Sequence, residues 1–365
     1  MAQTVLIDGN EAIARGAICA GCRAFFGYPI TPQSEVGEYM SRELPKVGGV
    51  FVQSESESAA IYMLFGGVLA GERTMTSTSS PGFSLMQEGI SWMAEDEMPA
   101  VIVEVMRAGP GIGTGGQQGQ TDYRQITKGG GHGAYRCIVL APYSVQESFD
   151  LIQFAFHLAD KYRITVIVAS DFIVARMAEM VELRTLSFEP LPEKEWALKG
   201  KSRKGGRHTI IMGGAFGHGG PQRYYPHMME KYQQIVDSEV RYDTYKTEDA
   251  EFLLIAYGSS ARMAEEVVDM ARDEGIEAGL FRPITLWPFP EEAVRETACR
   301  IGKVLVVEDS PGELVEDVKF AVEPPGPVHL LGIWARHVPL GPGYWGGGSG
   351  IIYPERILEE VKKLI

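Results

Sequence analysis

The sequence lacks the features that would place it in several large protein classes. Four cysteines in 365 residues are too few for a disulfide framework, so a reducing compartment is the simpler setting. No apolar run approaches the roughly 20 residues that span a bilayer. The opening stretch Met-Ala-Gln-Thr-Val-Leu-Ile-Asp has no basic segment before its first acid, so it does not read as a signal peptide. Positive charge is also scarce: 34 Lys and Arg face 48 Asp and Glu, a net charge of −14. That argues against nucleic acid or an anionic membrane as the main partner. These absences together predict a cytoplasmic protein.

Familiar catalytic and metal motifs are missing too. The seven histidines are scattered, without paired ligand spacing. His132 and His218 lie in glycine-rich loops, where a histidine is more often solvated than catalytic. There is no Walker loop and no Gly-x-Ser-x-Gly elbow. Cys19-Ala20-Gly21-Cys22 is only half of a zinc site, and Cys137 and Cys299 are isolated. Its Ala/Gly-rich surroundings point to helix packing instead. No metal site is expected on this chain.

Ordinary globular material is present. Hydrophobic residues make up 45% and charged residues 22%, and the length suits two or three domains. Up to about residue 180, short apolar runs alternate with helical spacing. Ala24–Gly27, Gly49–Val52, Thr74–Thr78, Val101–Met106, Cys137–Leu140 and Ile164–Ala169 read as strands. Glu57–Leu69, Phe83–Met93 and Ser144–Asp160 read as helices. This βαβ rhythm predicts an α/β fold, a doubly wound parallel sheet with helices on both faces. The rhythm breaks between residues 185 and 250, where Lys199–Lys204 reads as exposed linker and Tyr224–Tyr245 as a polar helix. A smaller α/β unit follows, with strands from Phe252, Ala278, Val304 and Val328 and a closing helix Pro354–Ile365. The expected organisation is residues 1–190, a linker or insert at 191–249, and residues 250–365.

Three local patterns bear on chemistry. Gly111-Ile112-Gly113-Thr114-Gly115-Gly116 matches the dinucleotide pattern and follows a strand. What comes next is polar and glycine-rich rather than a helix start, so a closely packed or mobile loop is favoured over a nucleotide site. In Gly27-Tyr28-Pro29-Ile30-Thr31-Pro32 two prolines fix a turn after a strand. Thr31 is then expected at a helix N-terminus, either as a carboxylate-binding hydroxyl or as a simple cap. In Gln53-Ser54-Glu55-Ser56-Glu57-Ser58 two acids precede a helix that is apolar on nearly every side. Such a helix is expected to be buried, carrying at least one carboxylate inward.

At these residues the sequence resembles the alpha subunit of 2-oxoacid:ferredoxin oxidoreductases. The resemblance rests on Gly27–Pro32, Glu55–Ile61 and Thr76–Met86. It continues through Arg107, Gly130-Gly131-His132-Gly133, Ile138–Pro142 and Phe281–Pro290. It is nearest the 2-oxoisovalerate (3-methyl-2-oxobutanoate) type, with the 2-oxoglutarate type nearby. It implies the pyrimidine-binding domain of a thiamine diphosphate enzyme, followed by a transketolase C-terminal-like domain. The acid that touches the cofactor's aminopyrimidine falls on Glu57, with Tyr28 and Pro29 beside the cofactor. A carboxylate there favours the imino form of the pyrimidine, which removes the thiazolium C2 proton. The substrate-carboxylate contacts fall on Thr31 and Arg107.

The Gly-Asp-Gly signature for diphosphate and magnesium is absent, and so are grouped cysteines. The resemblance therefore implies a beta chain carrying diphosphate, Mg2+ and a [4Fe–4S] cluster. It further implies a gamma chain that assists with coenzyme A, and it admits a ferredoxin-like delta chain. Ferredoxin would be the acceptor, and the assembly a dimer of hetero-oligomers. Segments around Gly27–Pro32, Ser79–Met86 and Gly109–Gly119 are then expected at a subunit interface. A non-catalytic assembly subunit of the same fold is the alternative. Three stretches depart from the family pattern: Glu308–Glu313, the insert Gly213–Gly220 and the glycine-rich tail His337–Gly350.

Overall fold

A computed structural model describes residues 3–112, 117–198, 214–322, 328–332 and 352–365. Lys199–Lys204, the first residue of the Gly213–Gly220 insert, the centre of the glycine loop and the tail His337–Gly350 lie outside the described residues.

The chain begins with β1 (Gln3–Asp8), α1 (Gly9–Cys19), β2 (Ala24–Gly27), α2 (Ser34–Glu43) and β3 (Val50–Gln53). Next come α3 (Glu57–Leu69), β4 (Thr74–Thr78), α4 (Pro81–Glu95), β5 (Val101–Met106) and α5 (Tyr123–Thr127). Then follow β6 (Ile138–Leu140), α6 (Val145–Tyr162), β7 (Val166–Asp171), α7 (Phe172–Arg176) and β8 (Ala178–Leu183). The middle segment supplies α8 (Gly214–Gly217), α9 (Pro221–Glu239) and β9 (Tyr242–Tyr245). The remainder is β10 (Phe252–Ile255), α10 (Gly258–Asp273), β11 (Ala278–Pro283), β12 (Thr285–Trp287) and α11 (Glu291–Ile301). It ends with β13 (Val304–Glu308), α12 (Leu314–Val322), β14 (Val328–Gly332) and α13 (Pro354–Leu364).

The larger sheet runs β12-β6-β7-β5-β4-β2-β3 and the smaller β14-β13-β10-β11-β9. Each is parallel except for one edge strand, β12 in the first and β9 in the second. The alternation of β5 explains the two faces of the larger sheet. Val101, Val103 and Val105 enter the core under α1, α2, α6 and α9, while Ile102 and Met106 enter the core under α3 and α4. The second core continues into the smaller sheet through Leu253, Ile255, Phe281 and Val306. The small residues of α1 let it approach α6 closely. A Cβ on Gly16 would stand 2.5 Å from the Phe149 carbonyl oxygen.

Several expectations need correcting. The helix expected over Tyr224–Tyr245 stops at Glu239, because Val240 is extended and Tyr242–Tyr245 pairs with β11 instead. It is also less detached than a linker helix, since Tyr224, Met228, Tyr232 and Ile235 are buried against the larger sheet's core. β12 lies in the second half of the sequence yet joins the larger sheet beside β6. Core packing holds for only one member of the Cys pair. Cys22 is fully buried and donates to the Ala24 carbonyl at 3.4 Å, and burial pushes its thiol up to about 12. Cys19 is exposed at the end of α1. Finally, α3 is not buried all round. Tyr62 and Met63 are exposed, and so are Leu85 and Trp92 on the neighbouring α4, leaving an apolar face open.

Candidate functional site

The parallel strands β2, β3, β4 and β5 end at one edge of the larger sheet, and the predicted site residues follow those ends. Ser54 N donates to the Gly27 carbonyl at 3.0 Å, so the segments after β2 and β3 leave the sheet side by side. Open α/β sheets place ligand sites at such carboxyl ends.

Glu57 opens α3. Ser56 caps the helix by accepting from Ala59 N at 3.2 Å, and Ser54 Oγ donates to the Ser56 carbonyl at 2.9 Å. Glu57 is only 6% exposed, whereas Glu55 lies at the surface. No described residue hydrogen-bonds the Glu57 carboxylate, although an acid in a first turn is favoured by the helix dipole. Gly82, at the start of α4, packs directly on it. A Cβ there would stand 2.7 Å from Glu57 Oε1 and 2.2 Å from Thr78 Oγ1. The hydroxyls of Thr78 and Ser79 are also buried without partners among the described residues.

Thr31 and Arg107 are brought together, but not as a helix terminus and a free fork. Arg107 Nη1 donates to the Thr31 carbonyl at 2.8 Å. Arg107 is 4% exposed and its Nε is buried without a partner among the described residues. Of the two expected starts, Thr31 itself or just after Pro32, the helix takes the second, with Gln33 as its cap residue. Pro32 disfavours helical backbone at the residue before it, and α2 begins only at Ser34. Gln33, which precedes it, spends its side chain elsewhere, donating to the Tyr28 carbonyl and accepting from Ser77 Oγ. Thr31 itself is exposed. Tyr28 and Pro29 are exposed as well, at the mouth of a cleft of about 150 Å³ between β2, β3 and α2. Neither Glu57 nor Arg107 lines that cleft.

A buried polar layer behind these residues escaped sequence reasoning. Ser80 joins β4 to α4 with φ 33°, a left-handed conformation that non-glycine residues rarely adopt. Its N–H donates to Glu104 Oε1 at 2.5 Å, and its hydroxyl donates to Asp122 Oδ2. Gln125 Nε2 donates to the other Asp122 oxygen at 2.6 Å. Burial, helped by the nearby Asp122, raises the Glu104 carboxyl well above its usual range, against the Ser80 N–H and Arg107. Burial also raises Asp122, while hydrogen bonds from Ser80 and Gln125 oppose it. Glu104 clamps the strained turn that carries Gly82 against Glu57. One signal was visible: Glu104 is the lone charge in an otherwise apolar strand.

The ends of the glycine loop are tightly held, as the closely packed reading expects. Ala108 N donates to the Gln117 carbonyl at 3.1 Å, and a Cβ on Gly119 would meet Ala108 Cα at 2.6 Å. Gln120 then locks the loop to the smaller sheet. It donates to Asp171 Oδ2 and the Tyr257 carbonyl, each at 3.1 Å, and accepts from Asp309 N at 2.9 Å. The next helix, α5, starts only at Tyr123 and is one short turn, so the loop does not feed a dinucleotide helix. His132 is exposed beside Glu88, as expected of a loop histidine. His218 is not simply solvated, because it stacks on His227 next to Glu97.

The buried Thr78 and Ser79 hydroxyls and the Arg107 Nε, without partners among the described residues, and the Glu57 carboxylate, which no described residue hydrogen-bonds, fit a site completed by a bound group. Glu57, Thr78 and Ser79 offer it acceptors and hydroxyls, and Arg107 offers a cation. Residues 15–247 match the family described as pyruvate flavodoxin/ferredoxin oxidoreductase, thiamine diphosphate-binding. Residues 250–334 match pyruvate:ferredoxin oxidoreductase core domain II. The chain is 49% identical to the ketoisovalerate oxidoreductase subunit VorB of Methanothermobacter marburgensis, over 87% of this chain and 90% of that one. It is 41% identical to the 2-oxoglutarate synthase subunit KorA of Archaeoglobus fulgidus, over 86% of this chain and 90% of that one. Among solved structures it resembles a 2-oxoglutarate:ferredoxin oxidoreductase from Magnetococcus marinus with 2-oxoglutarate, coenzyme A and succinyl-CoA bound. That match has a TM-score of 0.84 and 26% identity, covering 99% of this chain and 65% of the other. The chain therefore belongs to the 2-oxoacid:ferredoxin oxidoreductase family, as a subunit with the family's thiamine diphosphate-binding domain.

Proposed function

We propose that this chain is the alpha subunit of an enzyme that oxidatively decarboxylates a branched-chain 2-oxoacid. The products would be an acyl-coenzyme A and CO2, with electrons passed to ferredoxin. The observation that carries the site reading is Glu57, 6% exposed at the first turn of α3 and hydrogen-bonded by no described residue. When bound, thiamine diphosphate supplies the electron sink for decarboxylation. Glu57 holds the aminopyrimidine by a charge-assisted hydrogen bond, flanked by Tyr28 and Pro29. The Arg107 guanidinium binds the substrate carboxylate, oriented by the Thr31 carbonyl that it already contacts.

Half of the site comes from elsewhere in this reading. A beta chain supplies the diphosphate and Mg2+ contacts and the [4Fe–4S] cluster. A gamma chain assists with coenzyme A, and a ferredoxin-like delta chain carries further clusters. The beta chain covers the apolar face made by Tyr62, Met63, Leu85 and Trp92 together with exposed Tyr28 and Ile112. Two alpha–beta units pair symmetrically, and the assembly works in the cytoplasm. No described helix is long and apolar enough to cross a membrane. Residues 1–190 form the pyrimidine-binding unit, 191–249 the insert and 250–365 the transketolase C-terminal-like unit, with β12 reaching back to complete the larger sheet.

The branched-chain preference follows the VorB relative. The KorA relative and the Magnetococcus marinus structure support 2-oxoglutarate as the second reading. The deciding experiment purifies the chain with its native partners and assays ferredoxin reduction with coenzyme A. Expected is a kcat/KM for 3-methyl-2-oxobutanoate well above that for 2-oxoglutarate or pyruvate. The reverse order would favour the second reading, and no turnover of any 2-oxoacid by the intact complex would leave an assembly subunit.

A further inference from the structure

The scattered histidines converge at one place, away from the site above. Glu97 follows α4 in a left-handed turn with φ 54°. His218 follows α8, and His227 lies in α9. His227 Nε2 stands 2.9 Å from Glu97 Oε1, and His218 Nε2 stands 3.5 Å from Oε2. The two imidazoles stack, with ring centroids 4.4 Å apart. One ligand atom from each of the three residues lies within 4.8 Å of the others.

We propose that Glu97, His218 and His227 form a transition-metal site, best suited to Zn2+, that pins the insert helix α9 to the α4–β5 corner. Two imidazoles and one carboxylate are a donor set that zinc favours, with a fourth position left to water. Tetrahedral zinc with bonds of about 2.0–2.1 Å holds its ligand atoms roughly 3.4 Å apart. The 3.5 Å gap between His218 Nε2 and Glu97 Oε2 is close to that spacing and is not bridged by a hydrogen bond. Oε2 is thus the free face of the carboxylate. Lys231 takes the opposite face, donating to Oε1 at 2.7 Å. It shares Oε1 with His227 and leaves Oε2 turned toward His218. Each ligand comes from a different piece of chain, so the metal would cross-link the insert to the larger sheet.

The test uses the full chain in its native assembly, because other metals are expected on partner chains and only the difference between variants is read. Wild type, the conservative H218Q variant and the H218Q/H227Q pair are equilibrated with micromolar Zn2+, desalted and counted by elemental mass spectrometry. The expected result is about one more zinc per chain in wild type than in the pair. Zinc should also raise the wild-type Tm by several degrees and leave both variants unmoved. Circular dichroism checks that H218Q, at a partly exposed turn, remains folded. Zinc K-edge absorption of the wild type minus the pair should show two imidazoles and light-atom ligands. Equal zinc in wild type and variants, or a sulfur shell in the difference, would overturn the proposal. A stacked pair of histidines bonded to a carboxylate would then be all that the corner contains.

Discussion

Two buried glutamates stand at helix N-termini in this chain, and they are treated in opposite ways. Glu308 is 1% exposed and accepts from the backbone N–H groups of Glu313, Leu314 and Val315 at 2.8, 2.9 and 3.0 Å, and from Ser310 Oγ. It is a saturated cap for α12. Glu57 is 6% exposed at the start of α3, with no hydrogen bond from any described residue. Burying a carboxylate costs several kcal/mol unless it is paired or hydrogen-bonded. The fold saturates Glu308 and gives Glu57 no described partner, which is the contrast that the role proposed for Glu57 draws on. The departure at Glu308–Glu313 from the family pattern thus reads as a structural device in this chain.

The largest expected effect separates the two. Glu57→Gln should cut turnover of the assembled enzyme by on the order of 10²–10⁴-fold while moving Tm little. Steady-state rates and a thermal melt on the same preparation check it. Full activity would end the role given to Glu57. Glu308→Gln should do the reverse. Losing charged acceptors for several N–H groups should cost about 2–3 kcal/mol of stability, read by denaturant melts, with kcat/KM for the 2-oxoacid preserved in the surviving enzyme. Equal stability losses from both variants would erase the contrast.

Arg107→Lys sharpens the comparison from the substrate side. The ammonium keeps the charge but loses the planar fork, so KM for the 2-oxoacid should rise about tenfold or more with coenzyme A affinity unchanged. An unchanged KM would make Arg107 a structural bridge to Thr31 and nothing more.

The smallest effect concerns Asp309, next to Glu308. Burial first, and then Asp171 beside it, raise its carboxyl to about 7, while Gln118 holds it back. The folded chain therefore keeps a proton that the unfolded chain releases near pH 4. Stability from this group falls as pH rises through roughly 4–7. Asp309→Asn should remove that slope and stabilise the protein at pH 8 by on the order of 1 kcal/mol. Melts at pH 5 and pH 8 check it, and a variant with the wild-type slope would contradict it.

Much of this was legible in the sequence where local signals agreed. β2, β4, β5, α3 and α12 fall where apolar runs end at glycine, proline or clustered hydroxyl residues. The strands that were missed, β1, β8, β9 and β12, all pair antiparallel with distant partners, and tertiary pairing fixes them rather than local pattern. The helix α9 was overextended because its aromatic spacing runs on past Glu239. Glu57 and Arg107 were visible through the resemblance, and the structure supplies what that could not: the bare carboxylate and the Thr31 carbonyl under the guanidinium. Thr31 stands just short of the Gln33 cap, because proline placement suggests where a helix starts only to within a few residues. The Glu97, His218 and His227 corner had no signal at all, since its parts are distant in sequence and meet only when α9 folds back.

The central claim is that this chain holds half of a cofactor site and leaves Glu57 unpaired for the other half to use. Titration calorimetry of thiamine diphosphate with Mg2+ tests it most directly, first into the isolated chain and then into the chain assembled with its beta partner. The account predicts weak binding to the isolated chain, because a diphosphate without its own contacts meets a net charge of −14, and tight, magnesium-dependent binding to the assembly. Tight, magnesium-dependent binding to the isolated chain would contradict it.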